Sequence, residues 1–174
     1  GGGKLGKLMR AKDWASPPLG PPQQWPHSLR TAVRIILTSR YPMFIWWGKG
    51  LVNLYNDPYS PFLGTKHPAA LGRPAHETWS EIWNQVGPRS EAVLTRGEST
   101  YDQGLQLMMD RHGYLEETYF TFSYSPLPDD DGNIGGIFCA VTEDTDRVIG
   151  ERRLRVLRKL AFMTSEARTT VAVV

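Results

Sequence analysis

Histidine, cysteine and paired carboxylates are the side chains with which this chain could do chemistry, and it holds four histidines and one cysteine. A phosphoacceptor histidine needs a long helical pattern beside an acidic partner, and His76–Glu77 comes nearest to one. An axial haem ligand must face an apolar pocket, and His67 and His76 precede Trp79 and Trp83. Both histidines also flank prolines or predicted helix starts, where exposed or capping histidines are common. A haem- or flavin-dependent redox sensor therefore stays an alternative hypothesis.

The single cysteine, Cys139, lies in an apolar run that reads as a strand. A flavin photosensor or a thiol-linked chromophore would need a cysteine in the helical region after the second strand, and residues 58–76 contain none. One cysteine also excludes an internal disulfide and a cysteine-rich metal site, and it fits a reducing compartment. We interpret Cys139 as a small core residue.

Paired carboxylates occur at Glu116–Glu117 and at Asp129–Asp131. They fall at a strand start and in a turn, where solvated acids are the ordinary explanation rather than a general acid–base pair. The aspartate run also lacks the twelve-residue spacing of a calcium loop. We therefore expect no catalytic residue and no metal site. The cofactor is left open, with none as the favoured expectation.

The bulk properties of the 174 residues fit one domain with extensions. A formal net charge of +2 and the lack of a basic block interleaved with aromatics argue against nucleic-acid and membrane-surface partners. No run of about 18 apolar residues and no signal-peptide pattern occur, so we expect a cytoplasmic protein. The chain stops within an apolar pattern at Ala172–Val174, as a fragment of a longer protein would.

A predicted hairpin between Tyr114 and Arg147 is the element around which the other elements are arranged. Its first run alternates with a period of two, which places Thr118, Phe120, Phe122 and Tyr124 on one face. We expect Pro126 and Pro128 to end this run, residues 129–133 to form the turn, and residues 134–141 to form the second strand.

The remaining elements follow from proline, glycine and apolar spacing. Residues 4–26 form a lead-in whose prolines exclude helix and inner strand. We expect Trp14 and Trp25 to fasten this lead-in to the domain. Gly1–Gly3 are left out of the fold prediction as a possible cloning remnant. The predicted elements are a helix from Pro26 to about Arg40 with Ser28 as a cap candidate, strands over 43–47 and 51–56, a short turn over 67–72, a helix over 77–95 with a helix start or kink at Gly87–Pro88 and its stop at Gly97, a strand over 99–109 and an exit helix over 146–167.

The exit helix is strongly charged, with a narrow apolar seam. Leu154, Leu157 and Ala161 recur at spacings of three and four, as on one face of a helix. Such a seam either docks on its own domain or pairs with a second copy of itself. Both possibilities remain open, and pairing predicts a homodimer.

The block from Tyr41 to Arg147 resembles a PAS domain, the sensory module of many bacterial signalling proteins. The resemblance is carried by Asn56–Asp57 after the second strand, Leu71–Pro74 before the central helix, and the Asp131–Gly132 turn. The pentad Glu143–Arg147 is similar to the D-I-T-E-R exit motif of the family, with Glu143 for Asp and Asp144 for Ile.

Two further stretches extend the resemblance over nearly the whole chain. Pro18–Val33 is similar to the N-terminal cap ahead of such domains in hybrid sensor histidine kinases, and Thr164–Arg168 resembles a linker into a GAF domain. The implied organisation is a cap over residues 1–40, a PAS domain over 41–145 and a signalling helix over 146–174. The implied parent is a cytoplasmic sensor histidine kinase of a two-component system, with downstream GAF and kinase domains in the same chain and no catalysis in this fragment.

The resemblance implies an α+β fold: a five-stranded antiparallel sheet with helices on one face, a pocket between them, an N-terminal helical cap and a C-terminal exit helix. Glu143, Thr145 and Arg147 would relay a signal from sheet to helix. The alternatives are a structural dimerisation module with a filled core and the redox sensor. The pocket candidates, which could equally be plain core around no ligand, are Phe44, Trp46, Tyr55, Phe62, Trp79, Trp83, Leu107, Phe120, Phe122 and Phe138.

Overall fold

The computed structural model describes the backbone of residues 2–14 and 19–171, and side chains as far as residue 166. Pro18 and the C-terminal Ala172–Val174, which the sequence analysis named, lie outside the described residues. The helices are α1 (Gly3–Ala11), α2 (His27–Thr38), α3 (Ser60–Leu63), α4 (Ala75–Thr78), α5 (Trp83–Arg96) and α6 (Thr145–Val171), and the strands are β1 (Met43–Trp47), β2 (Val52–Tyr55), β3 (Thr100–Asp110), β4 (Leu115–Pro128) and β5 (Ile134–Glu143).

The strands form one five-stranded sheet in the order β2-β1-β5-β4-β3, and every neighbouring pair is antiparallel. The predicted α+β fold with a five-stranded antiparallel sheet is therefore confirmed. Short 3₁₀ turns over Asp57–Tyr59, Gly64–Lys66 and Ser80–Ile82 connect α3, α4 and α5 on one face of the sheet.

The central hairpin follows its predicted alternation, because Thr118, Phe120, Phe122 and Tyr124 are all buried. The expectation that Pro126 and Pro128 end this run holds at Pro128, the last residue of β4, whereas Pro126 lies inside the strand. The neighbouring strand β3 reaches only as far as Thr100, opposite Tyr124. Beyond that point β4 pairs with β5 alone, so it is an edge strand, where a proline without an N–H is tolerated.

The lead-in contains a helix that the sequence analysis missed. Helix α1 begins at Gly3, within the glycines set aside, and buries Leu5 and Met9. Its first turn is capped from a distance, because the backbone N–H groups of Lys4 and Leu5 each donate to the Asp57 carboxylate at 2.8 Å. A cap that lies more than fifty residues away leaves no local signature, which is why spacing rules did not predict this helix.

Helix α2 was predicted, but its cap is not Ser28. The N–H groups of His27 and Ser28 donate to the carboxylate of Asp130, in the β4–β5 turn, at 2.7 Å each. Trp14 and Trp25 are buried, with ring centroids 5.0 Å apart in an edge-to-face arrangement. These contacts fasten the N-terminal residues to the domain.

The cap and the internal helices lie on opposite faces of the sheet. Phe44 and Trp46 point toward the internal helices, so the intervening Ile45 and its cross-strand partner Leu54 point the other way. Ile45 and Leu54 are nevertheless fully buried, and α2 is a helix that contacts both β1 and β2. The helical cap therefore covers the β1–β2 part of the second face.

The predicted internal helix is divided into α4, a 3₁₀ turn and α5, and Pro88 lies inside α5 rather than at a helix boundary. Gly97 ends α5 as expected, with φ of 68° and its N–H donating to the Val93 carbonyl at 2.9 Å. The exit helix α6 contacts β4, and its side chains from Glu151 to Glu166 are exposed. Over the described part of the chain, none of the helices is long and apolar enough to cross a membrane.

Candidate ligand cavity and exit-helix junction

A cavity of about 40 Å³ lies between the sheet and the internal helices. A cavity of about 150 Å³ accommodates benzene, whereas one water needs about 10–15 Å³. The present cavity is therefore smaller than an aromatic ligand, and most of the space between sheet and helices is filled by side chains. Seven of the ten pocket candidates line it, namely Phe44, Trp46, Phe62, Trp79, Leu107, Phe120 and Phe122.

Three pocket candidates lie elsewhere. Tyr55 is buried beside the cavity and its hydroxyl is 2.9 Å from His67 Nδ1. Trp83 packs behind Trp46, with ring centroids 5.7 Å apart. Phe138 pairs with Ile45 and so shares the cap face of the sheet.

Six lining residues were missed: Tyr59, Ile82, Val86, Met109, Tyr124 and Val141. Tyr124 could have been found, because it continues the alternation of Phe120 and Phe122. The other five residues lie on the 3₁₀ turns, α5, β3 and β5. Which of their side chains meet at the cavity depends on how these elements pack, and spacing along the sequence does not give that.

The cavity wall carries no charged side chain among the lining residues. Burial raises the pKa of both tyrosine hydroxyls in it, those of Tyr59 and Tyr124, well above the ordinary value, and a hydrogen bond with Trp79 partly opposes this for Tyr59. Burial likewise raises the pKa of the Cys139 thiol, as expected for a core cysteine. The wall is thus suited to uncharged molecules, because an unpaired charge in such surroundings is strongly disfavoured.

The histidines do not fit a haem in this cavity. Neither His67 nor His76 lines it, and the Nδ1 atom of His67 is engaged with Tyr55. Burial lowers the pKa of His67. Within the described residues, no group of three or more histidine, cysteine, aspartate or glutamate side chains could hold a metal ion.

The junction between sheet and exit helix is a network around Glu143 and Thr145. The Thr145 hydroxyl donates to Glu143 Oε1 at 3.0 Å and accepts from the backbone N–H of Tyr119, also at 3.0 Å. The N–H of Asp144 donates to the Tyr119 carbonyl at 2.7 Å, and its carboxylate accepts from the Thr121 hydroxyl. The first turn of α6 is thereby bonded to the middle of β4.

Arg111 completes this network, although the sequence analysis did not single it out. Its guanidinium donates to Glu143 Oε2 at 3.1 Å and to Glu116 Oε2 at 3.3 Å, and its Nη2 forms an ion pair with Glu143 Oε1 at 3.0 Å. Burial acts to lower the pKa of Arg111, but the bonds to Glu143 and Glu116 outweigh it and raise the pKa. The only signal in the sequence was a basic residue in the turn before β4, which is common on any surface.

The backbone carbonyl of Arg111 is hydrogen-bonded to the turn that follows α3. It accepts from the N–H of Thr65 at 2.8 Å and from the Thr65 hydroxyl at 3.1 Å. Thr65 lies just after α3, which carries the cavity residue Phe62. Gly64 has φ of 54°, and a Cβ there would lie 2.2 Å from the Arg111 oxygen, so this approach requires glycine.

The third relay candidate, Arg147, is half exposed and pairs with Asp144 and Glu151 on its own side of the junction. Arg152 instead reaches back to the sheet, since its guanidinium donates to the Tyr119 hydroxyl at 2.8 Å and to the Glu117 carboxylate. Glu143 and Thr145 are brought together, whereas Arg147 contacts their network only through its ion pair with Asp144.

The predicted seam of α6 faces solvent. Leu154 is 55% exposed and Leu157 is 61% exposed, and Ala161 is exposed beside them. Further exposed apolar side chains lie on the same helix, namely Val156, Leu160, Phe162 and Met163. The stripe therefore does not dock on its own domain.

No family model and no curated protein significantly matches this sequence. Solved structures do. Phage VqmA in complex with DPO is 18% identical with a TM-score of 0.52, over 76% of this chain and 59% of that one. The PAS domain of a Colwellia psychrerythraea protein is 9% identical with a TM-score of 0.50, over 68% of this chain and 98% of that one. An RNA-binding light-oxygen-voltage receptor is 16% identical with a TM-score of 0.50, over 86% and 42%.

This chain thus spans 59% of the length of the VqmA chain. Identities this low show the fold alone, and they transfer neither ligands nor partners. From its sheet order and these likenesses, the chain adopts the PAS fold.

Proposed function

We propose that this chain is the sensory module of a multidomain sensor histidine kinase and that it relays the state of its cavity through α6. Residues 1–40 act as the cap, 41–145 as the sensor and 146–174 as the signalling helix. Downstream GAF-like and kinase domains of the same cytoplasmic chain would receive the signal.

The observation that supports this proposal is the double engagement of Arg111. Its carbonyl holds Thr65, two residues from the end of α3, and its guanidinium holds Glu143 at the start of α6. Phe62 in α3 is part of the cavity wall. A ligand that displaced Phe62 would therefore disturb the same residue that fixes the exit helix.

The physical mechanism is a shift between two arrangements of the junction. A ligand changes their populations only if it binds one of them better. Entry of a molecule larger than the present 40 Å³ cavity requires the wall to move, and Phe62 is partly exposed. The occupied cavity would thus favour the arrangement in which α3 and Arg111 are displaced.

Dimerisation is the second part of the proposal. Six large apolar side chains of α6 are more than half exposed, and apolar side chains that recur at spacings of three and four are typical of paired helices. Two copies joined along α6 would bring their junctions to the same end of a helix pair. A change at either junction would then alter how the two α6 helices pack against each other where they lead into the following domain.

The anchoring of α6 can be tested by amide hydrogen exchange on the purified chain. Arg111→Gln and Thr145→Ala should each accelerate exchange in residues 143–152, because both remove bonds that fix the first turns of the helix. Arg147→Ala is the matched control, since its two ion pairs join residues 144, 147 and 151 to one another and not to the sheet. Equal exchange in all three variants and in the unmodified chain would contradict the anchor.

A structural dimerisation module with a filled core is the second candidate, and the small cavity is the observation that favours it. It predicts dimers through α6 with no response of α6 to changes in the cavity wall. The redox alternative gains no support from the histidines, which do not line the cavity. The expected absence of nucleic-acid partners stays a prediction, since one structural neighbour is an RNA-binding receptor.

A further inference from the structure

Two residues that face each other across β1 and β2 carry polar atoms without partners. Trp46 and Asn53 are directly opposite in the register and are 1% and 0% exposed. Among the described residues, Trp46 Nε1, Asn53 Oδ1 and Asn53 Nδ2 have no hydrogen-bond partner. A buried donor or acceptor left without a partner destabilises the folded state, because its hydrogen bonds to water are lost and not replaced.

Other buried polar side chains of this core have hydrogen-bond partners. The amide nitrogen of Asn56 donates to the carbonyls of Ile36 and Tyr41 at 3.0 and 2.8 Å. The Thr118 hydroxyl donates to the Leu107 carbonyl at 2.6 Å, and the Ser90 hydroxyl to the Val86 carbonyl at 2.7 Å. Asn53 thus differs from these three residues. Apart from Trp46 Nε1, the other described buried side-chain atoms without a partner, Ser28 Oγ and Thr100 Oγ1, belong to partly exposed residues.

The unpaired atoms lie on the cavity side of the sheet. Directly opposite residues of an antiparallel pair project from the same face with Cβ atoms about 4.5–5.5 Å apart. Trp46 lines the cavity, and Asn53, which is not itself a lining residue, lies next to Trp46 on the same face of the sheet. The ring of Trp46 also packs against Phe44 and Tyr124, with centroids 4.8 and 5.3 Å away.

We propose that Trp46 and Asn53 are the polar anchor of the ligand cavity and that they select a small, uncharged, planar molecule carrying an amide-like edge. The Asn53 amide can donate one hydrogen bond and accept another, and the indole can donate one. An amide or lactam edge supplies the matching acceptor and donor. The aromatic walls suit a flat body, and the uncharged lining disfavours an ionised one.

This inference rests on the proposed role of the cavity as a ligand site, and its test uses three probes of one shape. Benzamide carries the amide edge, toluene carries none, and benzoate carries a charge. We expect benzamide to raise the melting temperature of the purified chain and to shift one indole N–H signal in its NMR spectrum. Toluene should leave the indole signals in place, and benzoate should not bind.

Asn53→Leu is the decisive variant, because leucine has a similar volume and no polar atom. We expect benzamide affinity to fall about tenfold or more, toluene affinity to stay unchanged, and the melting temperature of the free protein to rise. Asn56→Leu is the matched control and should lower the melting temperature, because its amide is fully bonded.

Three outcomes would overturn the anchor: no binding of benzamide to the unmodified chain, equal loss of benzamide and toluene affinity in Asn53→Leu, or a free Asn53→Leu protein that is less stable or unfolded. None of them bears on the anchoring of α6 by Arg111, which the exchange experiment tests separately. Conversely, benzamide selectivity through Asn53 could hold in a chain whose exit helix does not respond, which would leave a binding site without a relay.

Discussion

Asp57 and Asp130 show how single side chains fix the N-terminal cap to the domain. Each carboxylate accepts two backbone N–H bonds from the first turn of a helix that lies far away in sequence. A carboxylate at a helix N-terminus is favoured by the orphan donors and by the helix dipole. The two acids therefore determine where α1 and α2 begin.

The Asp130 cap should make stability depend on pH. Backbone bonds from Ser28 and His27 lower the pKa of its carboxyl, so the folded state favours the ionised form. The stabilisation is complete above the ordinary aspartate value of about 3.9 and is lost as the pH falls through the folded value. We expect Asp130→Ala to lower the urea midpoint at pH 6, and the difference from the unmodified chain to vanish as the pH falls through the lowered pKa of the Asp130 carboxyl.

Asp131→Ala is the neighbour control for that measurement and should leave the midpoint nearly unchanged over the same pH range. A difference for Asp130→Ala that persists at the lowest pH would show that its effect is not carried by the carboxylate.

For single residues, the sequence indicated which side chains are buried better than it indicated which residues they contact. Alternation placed Phe120, Phe122 and Tyr124 correctly because a strand has a fixed period of two. It could not show that Asp57 and Asp130 cap distant helices, or that Arg111 holds Thr65 and Glu143, since those partners meet only in the folded chain.

Among the elements, α6 differs from the others because it buries almost none of its apolar side chains. Its charged residues and its exposed stripe fit a helix that becomes stable by pairing, since most helical stability in proteins comes from packing an apolar face. Its first turns are held by the junction, and the rest extends away from the domain.

The paired Leu154→Asp and Leu157→Asp substitutions should therefore convert a dimer to a monomer, as measured by sedimentation velocity. Two carboxylates within a helix seam would be desolvated without partners. The matched control is Tyr114→Asp with Leu115→Asp, which changes an apolar pair of similar exposure at the start of β4.

If the control pair abolishes the dimer and the α6 pair does not, the interface lies on the sheet instead of the helix. A chain that is monomeric before any substitution would remove dimerisation from the proposal altogether.

Element boundaries were predictable where a neighbouring residue in the sequence ends the element. They were wrong where the boundary depends on contacts with distant residues. Gly97 ends α5 because a left-handed residue stops a helix in place. Of the two prolines expected to end β4, Pro128 does so, whereas Pro126 is tolerated inside the strand because β3 does not extend beside it. Helix α1 was missed for the same reason, since its cap and its buried face are supplied by other elements.

In the whole molecule, the sheet separates two packed layers with different roles. The cap covers one face through Ile45 and Leu54, while the other face carries the cavity and the elements that contact it. The sequence predicted the PAS fold from the order of its motifs. It did not predict that the cavity is small, because cavity volume depends on the packing of α3, α5 and β3.

The central claim is that the cavity wall and the exit helix are coupled through Arg111. The most direct measurement is a double-mutant cycle on the purified chain, followed by hydrogen exchange in residues 143–152. Phe62→Ala should accelerate exchange there, and it should add nothing further in the Arg111→Gln background, because the connecting residue is already lost. Val93→Ala, a buried truncation away from the cavity wall, controls for general destabilisation. Independent, additive effects of Phe62→Ala and Arg111→Gln would contradict the account.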